Sequence, residues 1–188
     1  MGPQSPALRL AACVQQRAAR RGALDHLKLQ KLCFYAYGVA LGLDVANELG
    51  EVTFEAWKHG PVNRLVWDEF KAHKAEPLPP PGVVTDYESA SLRSVLDDVI
   101  DVYGRMSSWS LRCESHLEVP WQRAVLEQRP LTRVEIEAHF RRKLTPGCVT
   151  LPTYLSGAQS AALDGIPAAR FESFQAIAAG LRAYPLAS

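Results

Sequence analysis

Between Asp25 and Gly42 the chain reads DHLKLQKLCFYAYGVALG, a run with almost no hydrophilic face. Leu29, Leu32, Cys33, Ala36 and Ala40 recur at the intervals of one helical face, and Leu27, Phe34, Tyr37 and Leu41 carry apolar character onto the other sides. A helix apolar nearly all round has to be surrounded, so this segment is expected at the centre of the fold with the other elements arranged about it. Asp25 can accept from the unpaired N–H groups of the first turn and so sets its start. Lys28 and Lys31 punctuate the apolar surface. Gly38 and Gly42 either let a second helix approach closely or weaken and end this one.

The next stretch changes period. In EVTFEAWKHGPV, Val52, Phe54 and Ala56 fall on one side of an extended run, with Glu55 and Trp57 on the other. A turn is expected at Gly60, with Pro61 suited to the first turn of a helix carrying Val62, Leu65, Val66, Glu69 and Phe70 at helical spacing. His59 would then stand near that helix's N-terminus, as a structural hydrogen-bonding residue or a catalytic one, although no nucleophile is evident beside it. Trp67 either closes the core or belongs to a partner surface.

The flanking segments read as further helices. Pro6 to Arg21 is rich in Ala and Arg, with Leu10 and Val14 four apart and Gly22 placed to end it. Arg17, Arg20 and Arg21 form either a solvated face or a patch for phosphate or an acidic partner. EPLPPPGVV predicts a stiff exposed connector. From Glu88 to Tyr103 one face is marked by Leu92, Val95, Leu96, Val99 and Tyr103. Asp97, Asp98 and Asp101 lie off that face, as a solvated acidic surface or a metal site. Ser107 or Ser108 can cap a short helix through Leu111, and Pro120 with Trp121 can open another. Between them, His116 either fastens a loop that Trp121 anchors, or helps Glu118 and Trp121 shape a recognition cleft. Thr132 and Glu135 make a capping box before Ile136, Phe140 and Leu144, with Pro146 and Gly147 as the stop. Phe171, Phe174, Ala178 and Leu181 share one side of a final amphipathic helix, packed on the domain or on a partner.

The expected fold is therefore mostly α, a compact single domain with a short extended or β segment near residues 51–58. Its 188 residues suit one ordinary domain, and a formal charge of +1 gives no strong overall attraction to nucleic acid or membranes. No stretch approaches the roughly 20 apolar residues of a membrane span, and no secretory leader is evident. The four cysteines form no CxxC pair and no zinc spacing, which suits a reduced, cytoplasmic setting. No phosphate-binding glycine loop, zinc signature or nucleophile motif is present, so no catalytic, metal or cofactor-binding residue is expected and no cofactor is indicated.

Three blocks, taken in order, resemble the Panacea domain family, which includes SocA-like antitoxins: LKLQKLCFYAYG at Leu27–Gly38, FEAWKHGPV at Phe54–Val62 followed by Val66, Trp67 and Phe70, and SHLEVPW at Ser115–Trp121. The resemblance implies a protein, not an enzyme, that neutralises a toxin by direct contact, commonly from a neighbouring gene in bacteria or phage. In SocA-like members it implies a proteolytic adaptor that delivers the toxin to a ClpXP-type protease. Trp57, Lys58, His59, Gly60 and Pro61 match the family's AWxxGP signature, and His116, Glu118 and Trp121 its later block; they are expected to build a central groove or partner surface. Asp25 and Ser115 stand where the family often has Ser or Thr, and Thr, respectively. The matching domain is drawn over residues 8–146, between a flexible N-terminus at 1–7 and an extension at 147–188. A DNA-binding regulator, an enzyme built on His59, His116, Glu118 and Cys113, and a homo-oligomer are the competing readings.

Overall fold

The computed structural model describes residues 5–145; the first four residues and the extension at 147–188, Phe171 and Phe174 included, lie outside them. Among the described residues the fold is mostly helical, with seven α-helices and one two-stranded antiparallel hairpin. The helices are α1 (Pro6–Ala18), α2 (His26–Gly42), α3 (Arg64–Phe70), α4 (Ala90–Tyr103), α5 (Ser108–Leu117), α6 (Val119–Leu126) and α7 (Arg133–Lys143). Strands β1 (Glu55–Trp57) and β2 (Gly60–Val62) pair in the register Glu55 to Val62, Ala56 to Pro61 and Trp57 to Gly60.

The apolar segment is the axis. Every residue from Leu29 to Leu43 is buried, and α1, α4, α5, α7 and β2 all pack on α2. Asp25 caps it by accepting from the Lys28 N–H at 2.8 Å. Its glycines admit a neighbour: a methyl at Gly38 would run into the Phe140 ring, and one at Gly42 would lie 2.8 Å from the Phe140 carbonyl carbon of α7. Phe34 meets Phe54 and Phe140 edge-on at 5.5 and 5.7 Å, while Tyr35 stacks on Tyr103 of α4 at 3.9 Å. Such ring contacts add to the burial of the aromatic surface itself.

Several local expectations need correction. Pro61 does not open a helix but sits in β2, where its missing N–H is harmless because the Ala56 to Pro61 pair needs no bond from it. Asn63 starts α3 instead, its Oδ1 accepting from the Val66 N–H at 3.0 Å. His59 is thus in the hairpin turn, away from any helix N-terminus. Helix α5 continues past Leu111 to Leu117, so His116 lies in its last turn, not in a loop. Arg17 is not solvated: it is buried between Asp86, at 2.7 Å, and Asp97, at 2.8 Å. Arg21 pairs with Asp101, and Asp98 is buried. Arg17 and Arg21 with Asp97 and Asp101 therefore form a seam between the end of α1 and α4, while Arg20 stays exposed as expected. The proline connector is tied alongside, with Leu78 N–H donating to Leu24 O at 2.8 Å.

Candidate functional site

The N-terminal half of α2 carries polar side chains inside the core, and two of them, Gln30 and Lys31, hold the hairpin and the residue that follows it. Gln30 grips the backbone of Asn63 from both sides, donating to its carbonyl at 3.2 Å and accepting from its N–H at 2.8 Å. Asn63 passes the connection on, donating from Nδ2 to Thr53 O at 2.7 Å. One turn position along, Lys31 is 0% exposed and donates from Nζ to Pro61 O at 2.8 Å. Burial, with the nearby Arg112 charge adding to it, draws the Lys31 amine down to about 7. Gly60, at φ +94°, makes this closeness feasible, because a methyl there would collide with Ser115 Oγ and lie 2.9 Å from Lys31 Nζ.

Helices α5 and α6 close the other side. Arg112 Nε donates to His59 Nδ1 at 3.0 Å, which makes that nitrogen the acceptor and leaves the ring proton on Nε2. Trp121 Nε1 donates to Trp57 O at 3.2 Å, and its indole stacks on the His116 ring at 4.1 Å, 5° from parallel. Burial and the neighbouring Arg112, Lys31 and His59 charges hold His116 below the ordinary histidine range. Its Nε2 is buried with no hydrogen-bond partner among the described residues. On the outer side of the hairpin, Trp57 and Trp67 meet at 5.2 Å, with Arg64 set over both and Lys71 over Trp67. Lys58 is exposed at the turn.

Glu118 belongs to a different contact. Its buried carboxylate accepts from His139 and, at 2.7 Å, from Lys143, both on α7. Burial works against its charge, but these two partners win and hold the carboxyl below its usual range. His59, His116 and Glu118 are consequently engaged with Arg112, Trp121 and α7 respectively, and Cys113 is exposed on the outside of α5. The structure does not gather these four into one reactive centre. Among the described residues there is no group of three His, Cys, Asp or Glu that could hold a metal.

Of the residues singled out in the sequence, Trp57, Gly60, Pro61, His59, His116 and Trp121 come together at this corner. Trp67 joins its outer edge. Sequence reasoning missed Gln30, Asn63 and Arg112, and it treated Lys31 as mere punctuation. The available signal was the adjacent polar pair Gln30 and Lys31 inside a segment otherwise too apolar to be exposed.

The residues of this corner coincide with a family signature. Residues 29–122 match the family model described as Antitoxin SocA-like, Panacea domain, which is half of the chain. The chain belongs to the Panacea domain family. No curated protein and no solved structure matches it. The Panacea match takes in α2 from Leu29 on, the hairpin, α3, α4, α5 and the first half of α6, so the hairpin clamp lies wholly inside it. Helices α1 and α7 lie outside the matched Panacea segment, yet α7 supplies both partners of Glu118 and the Phe140 ring that fills the α2 glycine gap. Among the described residues no helix is long and apolar enough to cross a membrane.

Proposed function

We propose that this chain is an antitoxin that neutralises a toxin protein by binding it, without catalysis of its own. The observation that carries this reading is the Panacea match over residues 29–122. The local structure is compatible with it: Lys31, Arg112 and Trp121 donate to Pro61, His59 and Trp57 and so hold the hairpin against α2, α5 and α6, as a recognition surface requires. The narrower version makes the bound toxin a substrate for a ClpXP-type protease, with this chain as the adaptor. Direct DNA binding is the weaker reading, because Arg17 and Arg21 direct their charge to Asp86, Asp97 and Asp101.

Co-expression with the product of an adjacent gene tests the proposal, reading host growth, complex formation and the partner's half-life with and without the protease. Restored growth with a stable complex is the expected result for neutralisation by capping, and restored growth with protease-dependent loss of the partner is expected for the adaptor. An unbiased screen of toxins that yields neither rescue nor binding would overturn the antitoxin assignment.

A further inference from the structure

Helix α5 presents an apolar stripe that nothing among the described residues covers. Trp109 is 63% exposed and Leu117 68% exposed, and the exposed Cys113 lies between them at the same four-residue interval. On a helix these three form one row, about 12 Å long. Arg112 lies over the Trp109 ring at 4.5 Å and reaches from there to His59, so the stripe is continuous with the hairpin turn and its exposed Lys58.

Along the edge of this row that faces the hairpin turn the unpaired charges are cationic. Arg112 and Lys58 have no carboxylate partner among the described residues. The carboxylates of α5 and of the turn after α6 do not pair with these cations. Glu118 is paired inside, Glu127 of the following turn holds Arg129, and the half-buried Glu114 lies in the field of Lys143. An apolar row flanked by unmatched cations selects a ligand with the complementary layout. We infer that the α5 face, with Lys58 and Arg112 at its edge, docks an acidic amphipathic helix of a partner protein. The partner's apolar side chains cover Trp109, Cys113 and Leu117, and its carboxylates meet Arg112 and Lys58. The identity of the protein carrying that helix rests on the antitoxin reading; the chemistry of the surface does not.

Cys113 reports on the site directly. The probe is a synthetic helix of about 20 residues with leucines on one face and glutamates on the other, set against the same helix with lysines in place of the glutamates. In the full-length protein, alkylation at Cys113 is followed by mass spectrometry with each helix at saturation. The expected result is alkylation of the free protein, protection by the glutamate helix, and none by the lysine helix. Arg112→Glu and Lys58→Glu, each checked for retained helicity, should each weaken the glutamate helix about tenfold, and the double variant should turn preference toward the lysine helix. Equal protection by both helices, or by neither, would overturn the inference. So would a Cys113 unreactive in the free protein, since that places residues 147–188 or a second copy over the stripe. Toxin rescue in co-expression has its own readout, so a failed docking surface and a failed antitoxin assignment are told apart.

Discussion

Both halves of α2 enter the core, but for different purposes. Toward the C-terminus, Gly38 and Gly42 leave a gap that Phe140 and the α7 backbone fill, and the contact is one of shape. Toward the N-terminus, Gln30 and Lys31 enter the core as polar groups, and the contact with the hairpin is made of directed bonds to Asn63 and Pro61. Shape contacts hold a helix pair together but tolerate small shifts, whereas directed bonds fix where a backbone turn must stand. The half that carries the family's signature hairpin uses the second device.

If that contrast is right, the largest effect comes from the shape contact. Phe140→Ala empties the space between α2 and α7 and should cost about 4 kcal/mol in urea or thermal unfolding, with the hairpin amides still protected from exchange in the surviving native state. A loss below about 1 kcal/mol would mean that the gap closes by itself. Gln30→Ala should cost about 2 kcal/mol, because it strands the buried N–H of Asn63, while the Asn63 carbonyl keeps its bond from Trp67 N–H. Its distinguishing mark is local: faster hydrogen exchange at Val62 and Asn63 with little change in α7. Uniform loosening of both ends would erase the distinction.

Lys31 sharpens the comparison through pH. Its amine falls from 10.5 to about 7 on folding, so between those values the unfolded chain holds a proton that the folded chain has released. Stability should therefore rise with pH from about 7 toward 10, while below about 7 the burial penalty is fully present. Lys31→Met should flatten that rise, measured as urea midpoints at about pH 7 and about pH 10. An unchanged slope would show that another group sets it. The smallest effect is expected at the cap: Asp25→Ala should cost about 1 kcal/mol, since α2 is held chiefly by burial and its first turn is one bond among many.

Much of this architecture was legible from periodicity. The central helix, the capping box at Thr132 and the amphipathic α4 all follow from residue spacing, which local backbone geometry obeys wherever burial agrees with it, whereas the two readings of Gly38 and Gly42 were separated only by the Phe140 ring. Pro61 was misplaced because proline suits a helix's first turn and an edge strand alike, and only the pairing with Ala56 separates them. Arg17 was read as solvated because its aspartates arrive from about seventy and eighty residues away, a distance that no local pattern spans.

The same division holds at the candidate site. From the sequence alone came a mostly helical chain organised around residues 25–42, and the three blocks that mark the Panacea family. Those depend on side-chain period and residue identity, which the linear order contains. Only the tertiary structure decided that Gln30 and Lys31 clamp the hairpin, that Arg112 holds His59, that Glu118 turns to α7 instead of to His116, and that α5 leaves Trp109 and Leu117 open. Each of those is a choice of partner among many chemically equivalent groups. Such a choice is made by which backbone segments the packed core brings within about 3 Å of one another.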